Sequence, residues 1–411
     1  MLNTGELLYR CFGWVGLPVC LLACLVAWWR LPPVEPASFD VPATPDVKIA
    51  PPKFYTQFLP VPESWQKRRY SAHAATLAVL PNGNIAAAWF AGSREGAADV
   101  GIWFSIRDAQ GWAPPVAVLS RTGLQDVMAR TIRKLGNPVL FYDVASQRLY
   151  LFVVSVSIGG WAGSAVNYLS SGDAGQSWSR PKRLITSPFF NLSTLVRTPP
   201  LRLTDGSLGL PAYHELGAKF GLWLRLRPET GHWPESERLR FLELSRIPEP
   251  RRSLQPAVAA LGAQRALALL RDSGGGEGKI RAAASDDTGS TWRDTPDPPL
   301  GNPDASVALL RLNSGDLLLA ANPGSGRQEL TLWHSGDSGS SWRRARVVES
   351  SERGEYSYPS LAQSGDGDIH LAYTWRRQGI RYARFNKAWL RGGQTEGQTE
   401  GRVETKALAV P

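Results

Sequence analysis

From residue 75 to residue 374 the chain repeats one rhythm six times: an apolar run, a short polar turn, a second apolar run. Ala75–Ala91 turns at Asn82-Gly83, Val139–Val154 at Ala145-Ser146 and Leu201–Ala212 at Asp205-Gly206. Pro256–Leu270 turns near Gly262, Val307–Ala321 at Ser314-Gly315 and Ser360–Thr374 at Asp366-Gly367. Apolar runs joined by Asn-Gly or Asp-Gly predict β-hairpins, because these residues accept the positive φ of a tight turn. The turns fall near residues 82, 145, 205, 262, 314 and 366, giving spacings of 63, 60, 57, 52 and 52. A third apolar stretch follows each hairpin, as in Val100–Ile106, Gly221–Leu226 and Leu330–His334.

In three units that third stretch runs into one motif, Ser-x-Asp-x-Gly-x-x-Trp, at Ser171–Trp178, Ser285–Trp292 and Ser335–Trp342. The Asp accepts backbone N–H groups of a tight turn, the Gly supplies a positive φ, and the Trp is an apolar wedge between sheets. Asp173, Asp287 and Asp337 therefore read as structural. Ser105–Trp112 and Arg225–Trp233 are worn copies, and the last unit, Ile380–Asn386, has none. Six units of about four strands predict an all-β fold, a six-bladed β-propeller with Asp boxes, closed by a strand from Phe54–Leu59.

The flanks differ in kind. Cys11–Trp29 carries no charge over 19 residues between Arg10 and Arg30, which predicts one N-terminal transmembrane helix, a signal-anchor. A lipoprotein signal ending at Cys24 is the other reading. The expected organisation is an anchor at 1–30, a Pro-rich linker at 31–62, the propeller at 63–390 and a disordered tail at 391–411. All three cysteines precede residue 30, so the propeller has neither disulfides nor thiol chemistry. With five histidines and no clustered ligand spacing, neither a metal nor another cofactor is expected. A net charge of +10 suits an anionic partner, and without a recognition motif or basic arm nucleic acid is not that partner.

Asp boxes on six hairpin units resemble the sialidase (neuraminidase) superfamily, in its Asp-box, BNR-repeat branch, over roughly residues 70–386. The resemblance implies a pocket on the propeller axis with arginines gripping a carboxylate, an Asp acid/base and a Tyr nucleophile activated by a Glu. Guanidinium forks suit a planar carboxylate. Arg271 in A-L-L-R-D and Arg327 in N-P-G-S-G-R match two of the arginines. Tyr358 in Y-P-S-L matches the nucleophile, with Glu355 and Tyr356 beside it. The segment A-G-S-R-E-G-A-A-D-V points to Arg94 and to Asp99 as acid/base, with Glu95 in competition.

Two positions depart. His73 stands where the family has its first arginine, and Gln255 where it has the activating Glu. A glutamine takes no proton from a phenol. The expected function is a sialidase-like exo-glycosidase acting outside the cytoplasm on an acidic glycan, membrane-anchored through its N-terminal helix, on the periplasmic side if bacterial. Two alternatives stand beside it: lyase-type β-elimination on a uronic acid glycan, and a non-catalytic, membrane-tethered glycan-binding propeller.

Overall fold

A computed structural model describes residues 18–22, 24, 35–41, 50–68, 70–187, 191–229, 238–248, 252–273 and 278–392. Its first unit ends at Pro36, and the second runs from Ala37 onward. Of the expected anchor at Cys11–Trp29 only residues 18–22 and 24 are described, and of the expected tail at 391–411 only the first two residues; the rest lie outside the described residues. Among the described residues no helix is long and apolar enough to cross a membrane.

Six antiparallel sheets form the second unit. The first blade is Ser71–Val79, Ile85–Gly92, Gly101–Arg107 and Val116–Ser120; the second is Lys134–Asp143, Arg148–Val156, Ser164–Ser171 and Lys182–Arg183. In the third, a split inner strand (Leu195–Val196 and Leu201–Arg202) precedes Leu208–His214, Phe220–Glu229 and Arg238–Ile247. The fourth is Ser253–Ala260, Ala266–Asp272, Arg281–Ser285 and Arg293–Asp294; the fifth is Ala308–Arg311, Leu317–Ala321, Glu329–Ser335 and Arg343–Ser350. The sixth, Tyr356–Gln363, Ile369–Trp375 and Gly379–Phe385, takes its outer strand from Phe54–Phe58, which pairs Phe54 with Phe385 through Phe58 with Arg381. Each inner strand packs on the next, and the sixth packs on the first, so the ring closes. Phe54 stacks on Trp389 at 4.4 Å, which fastens that closure.

The turns behave as their composition requires. Gly83, Gly206, Gly315 and Gly367 take φ values of +80° to +87°. In each Asp box the carboxylate gathers its own turn: Asp337 accepts from the backbone N–H of Ser341 at 2.9 Å and from the hydroxyls of Ser341 (2.5 Å) and Ser335 (2.7 Å). The box glycine abuts the preceding blade. A Cβ at Gly175 would lie 2.4 Å from Phe104, and one at Gly289 would lie 2.4 Å from Trp223. Trp178 meets Phe104 edge-on at 5.4 Å and Trp292 meets Trp223 at 5.9 Å. The boxes are rivets between blades.

Acid should loosen this fold in two stages. Burial lowers His73 and His370 from 6.5 to about 4. Between these values the unfolded chain binds protons that the folded chain refuses, so stability present above pH 6.5 is lost as pH falls towards 4. The hydrogen bonds of Ser177 and Ser341 hold Asp173 and Asp337 at about 2 instead of 3.8, and their contribution disappears as pH falls from 3.8 through 2. A urea midpoint that stays flat from pH 6.5 to 4 would contradict the first stage.

Candidate active site

One backbone device recurs where the inner strands begin. Ala74, Asn137, Gln255, Asp304 and Tyr358 have φ between +44° and +53°, a left-handed conformation that non-glycine residues rarely adopt. In four of these blades the strand register slips at that residue: between His73 and Thr76, Gly136 and Val139, Leu254 and Ala257, and Ser357 and Ser360. Such bulges re-aim side chains and collect at functional sites. The hairpin turns and Asp boxes lie at the opposite end of the blades.

Tyr358 is the centre of the group. Arg327 places its guanidinium carbon 5.4 Å from the phenol ring centroid and Arg197 places its own at 5.6 Å. His73 meets the same ring edge-on at 6.3 Å and stacks on Phe90 at 5.5 Å. His73 is fully buried, and neither ring nitrogen has a hydrogen-bond partner among the described residues. Burial first, then the charge of Arg377, pushes its pKa down to about 4, so the imidazole is neutral near pH 7.

Around this pair runs a polar network. Arg271 donates from Nε to Asp304 at 2.6 Å and from a terminal nitrogen to Gln255 Oε1 at 3.2 Å. Gln255 in turn donates to the Tyr213 hydroxyl at 3.2 Å, which also accepts from Asn137 at 2.9 Å. Burial works against the Arg271 charge, but Tyr358, Asp304 and Tyr213 outweigh it and hold Arg271 above the usual guanidinium range. Burial raises Tyr213 well above an ordinary phenol. It also raises Glu215, whose carboxyl feels Lys219, Arg271 and Asp304.

Arg327 donates to the Asp304 carbonyl at 2.8 Å and lies 3.5 Å from Glu355. Glu355 also receives Arg377 Nε on both oxygens, at 2.9 and 2.8 Å, and Arg377 reaches Glu95 at 3.4 Å. The structure thus brings His73, Gln255, Arg271, Arg327, Glu355 and Tyr358 into one neighbourhood. Asp99 is exposed and accepts from the backbone N–H and hydroxyl of Ser93, at 3.2 and 3.1 Å, within its own loop; Arg94 is exposed on that loop. Tyr356 is buried in the core between the fifth and sixth blades, its hydroxyl on Ser351 at 3.2 Å. Among the described residues no group of His, Cys, Asp or Glu could hold a metal ion.

Arg377 and Tyr213 are among the residues that strand patterns did not single out. Arg377 follows the last hairpin's second strand, at φ +56°, where nothing but its charge marks it. Tyr213 sits one residue from the end of Leu208–His214, in an apolar run, as a core tyrosine would.

The family described as BNR repeat-like domain matches residues 83–371. No curated protein matches the chain. Among solved structures, the Hadza microbial sialidase Hz136 is similar at TM-score 0.61 and 15% identity, over 76% of this chain and 65% of that one. The NanB sialidase from Streptococcus pneumoniae is similar at 0.62 and 12%, over 79% of this chain and 70% of that chain. The intramolecular trans-sialidase from Ruminococcus gnavus is similar at 0.61 and 14%, over 80% of this chain and 97% of that chain. At these identities the likeness establishes the fold.

Proposed function

This chain belongs to the BNR repeat-like domain family, and from that premise we propose that it is a sialidase-like glycoside hydrolase acting on an acidic sugar. One observation carries the reading: Arg327 lies 5.4 Å from the Tyr358 ring and is joined to Arg271 through Asp304 and to Arg377 through Glu355, so three guanidiniums are linked beside one phenol. Three guanidiniums around one point suit a carboxylate. Asp304 and Glu355 neutralise them in the resting site and give way to the ligand's carboxylate. Solved structures of the same fold that are named sialidases support the substrate class.

In this reading Tyr358 Oη bonds to the anomeric carbon and its proton passes to water, while His73, kept neutral by burial, packs edge-on against the phenol ring and shapes the pocket wall. The bond to the leaving oxygen breaks, and Asp99 supplies that oxygen's proton; water then releases the sugar from Tyr358. Glu95 is engaged by Arg377, which leaves Asp99 as the acid on that loop. Arg94 stands on the same loop as an outer contact for the glycan. Gln255 serves to orient Arg271. Residues 11–29 act as a membrane anchor that keeps the propeller outside the cytoplasm, on the periplasmic side if the source is bacterial.

Gln255 also favours a second reading. Both ends of its amide are committed, to Arg271 and Tyr213, and no carboxylate stands there to activate the phenol. A glycan-binding propeller without turnover has the same arginines. The full chain, incubated with fluorogenic aryl sialosides and aryl uronides, separates these readings. Release of the aryl group from a sialoside is expected. An unsaturated, ultraviolet-absorbing product would instead indicate elimination, and sialoside binding without any product would leave the binding role.

A further inference from the structure

The third blade breaks the pattern of the other inner strands, and the break is informative. Between Val196, paired with Ala212, and Leu201, paired with Gly209, it inserts Arg197-Thr198-Pro199-Pro200. Arg197 is 2% exposed and reaches across the ring. One of its terminal nitrogens shares its hydrogens among the carbonyls of Ala75 (3.2 Å), Tyr358 (2.7 Å) and Pro359 (3.1 Å). Thr198 donates to the carbonyl of Pro256 at 2.6 Å.

Ala75, Pro256 and Pro359 hold equivalent places. Each directly follows the left-handed residue of its blade: Ala74, Gln255 and Tyr358. Each lies inside the register slip, so its carbonyl is outside the strand ladder. A buried carbonyl without a ladder partner needs another donor. Two consecutive residues of the third blade therefore supply donors to bulges of the first, fourth and sixth. The same two side chains also wall a cavity of about 180 Å³ that extends towards the hairpin-turn end, past Leu310 and Asn313.

Carbonyl pairing alone does not require a cation. Arg197 has no carboxylate partner among the described residues, its Nε is unpartnered, and burial lowers its pKa to about 10, so it remains charged at neutral pH. A buried charge of this kind is retained against a desolvation penalty. Its guanidinium carbon lies 5.6 Å from the centroid of the Tyr358 ring.

We propose that Arg197 is a positioning residue: it locks the left-handed turn at Tyr358 from below the site and fixes the direction in which the phenol is presented, while Thr198 holds the equivalent turn at Gln255. The proposal rests on the assignment of Tyr358 as nucleophile for its bearing on catalysis, but the lock itself is a property of the fold. Arg197→Met keeps the length of the stem and removes the donors and the charge. Arg197→Lys keeps a charge and donors but loses the planar fork against the ring.

The test places 3-fluorotyrosine at position 358 of the full chain and reads its fluorine resonance. The parent is expected to give one sharp line. Arg197→Met should broaden or split it while circular dichroism stays that of the parent. If Arg197→Met does not fold, Arg197→Lys decides, and its line should move by more than the parent linewidth. An unchanged line in the variant that folds overturns the proposal. On a substrate that the parent turns over, Arg197→Lys should lower kcat by roughly tenfold to a hundredfold with KM little changed, as misplacement of a reacting group does. If the parent turns over neither sialosides nor uronides but Arg197→Met disturbs the line, the hydrolase reading fails and the lock stands.

Discussion

Tyr358→Phe should reduce turnover by roughly a thousandfold or more and leave the protein folded. The substitution removes one oxygen. The ring remains to lie against Arg197 and Arg327, both within 6 Å of its centroid, and the backbone at φ +53° is unchanged. The Tyr358 hydroxyl makes no hydrogen bond among the described residues, so stability should shift by less than about 1 kcal/mol. Glycan affinity should persist, because the arginines do not depend on that oxygen. Comparing single-turnover rates and binding isotherms of the two proteins checks both halves. Retained turnover would take the phenol out of the chemistry, and lost binding would show that the ring itself shapes the pocket.

Arg271→Ala should weaken binding of free sialic acid or glucuronate by about 2–5 kcal/mol, roughly thirtyfold to five-thousandfold. Arg271 is anchored twice, by Asp304 and by Gln255, and its side chain is 14% exposed. Truncation leaves the Gln255 oxygen buried without its donor, while Asp304, 49% exposed at its side chain, returns to water. Part of the loss is therefore desolvation of Gln255, and Arg271→Lys should not restore affinity, because an ammonium cannot span both anchors with a planar fork. Calorimetric titration at two salt concentrations reads the effect. Equal affinity of parent and Arg271→Ala would move the carboxylate site elsewhere.

The readable parts of this protein are local ones. Asn82-Gly83 and Asp205-Gly206 announce their hairpins because each three-residue turn closes on a left-handed glycine and depends on those few residues alone. Ser335–Trp342 announces its box because Asp337 satisfies groups within five residues of itself. Phe54–Phe58 was legible as a closing strand because a propeller of six hairpin units needs one from the far end of the chain. Arg271, Arg327 and Tyr358 were legible by resemblance, since each follows or opens a strand at a repeated place.

Arg377 and Arg197 were not. Arg377 enters the site through Glu355, 22 residues away, and through Glu95, 282 residues away. Arg197 is held by carbonyls 122 and 161 residues distant, which no local pattern could announce. The left-handed backbone at Ala74 and Asn137 likewise has no glycine to signal it.

What the sequence determined by itself was the repeat: hydrophobic alternation and turn chemistry act over a few residues, so they specify hairpins, boxes and their number before any blade meets another. Which charges converge was decided only in three dimensions. Closing six sheets into a ring brings their bulged strand ends together, and a guanidinium finds its partners by where those ends meet, irrespective of separation along the chain.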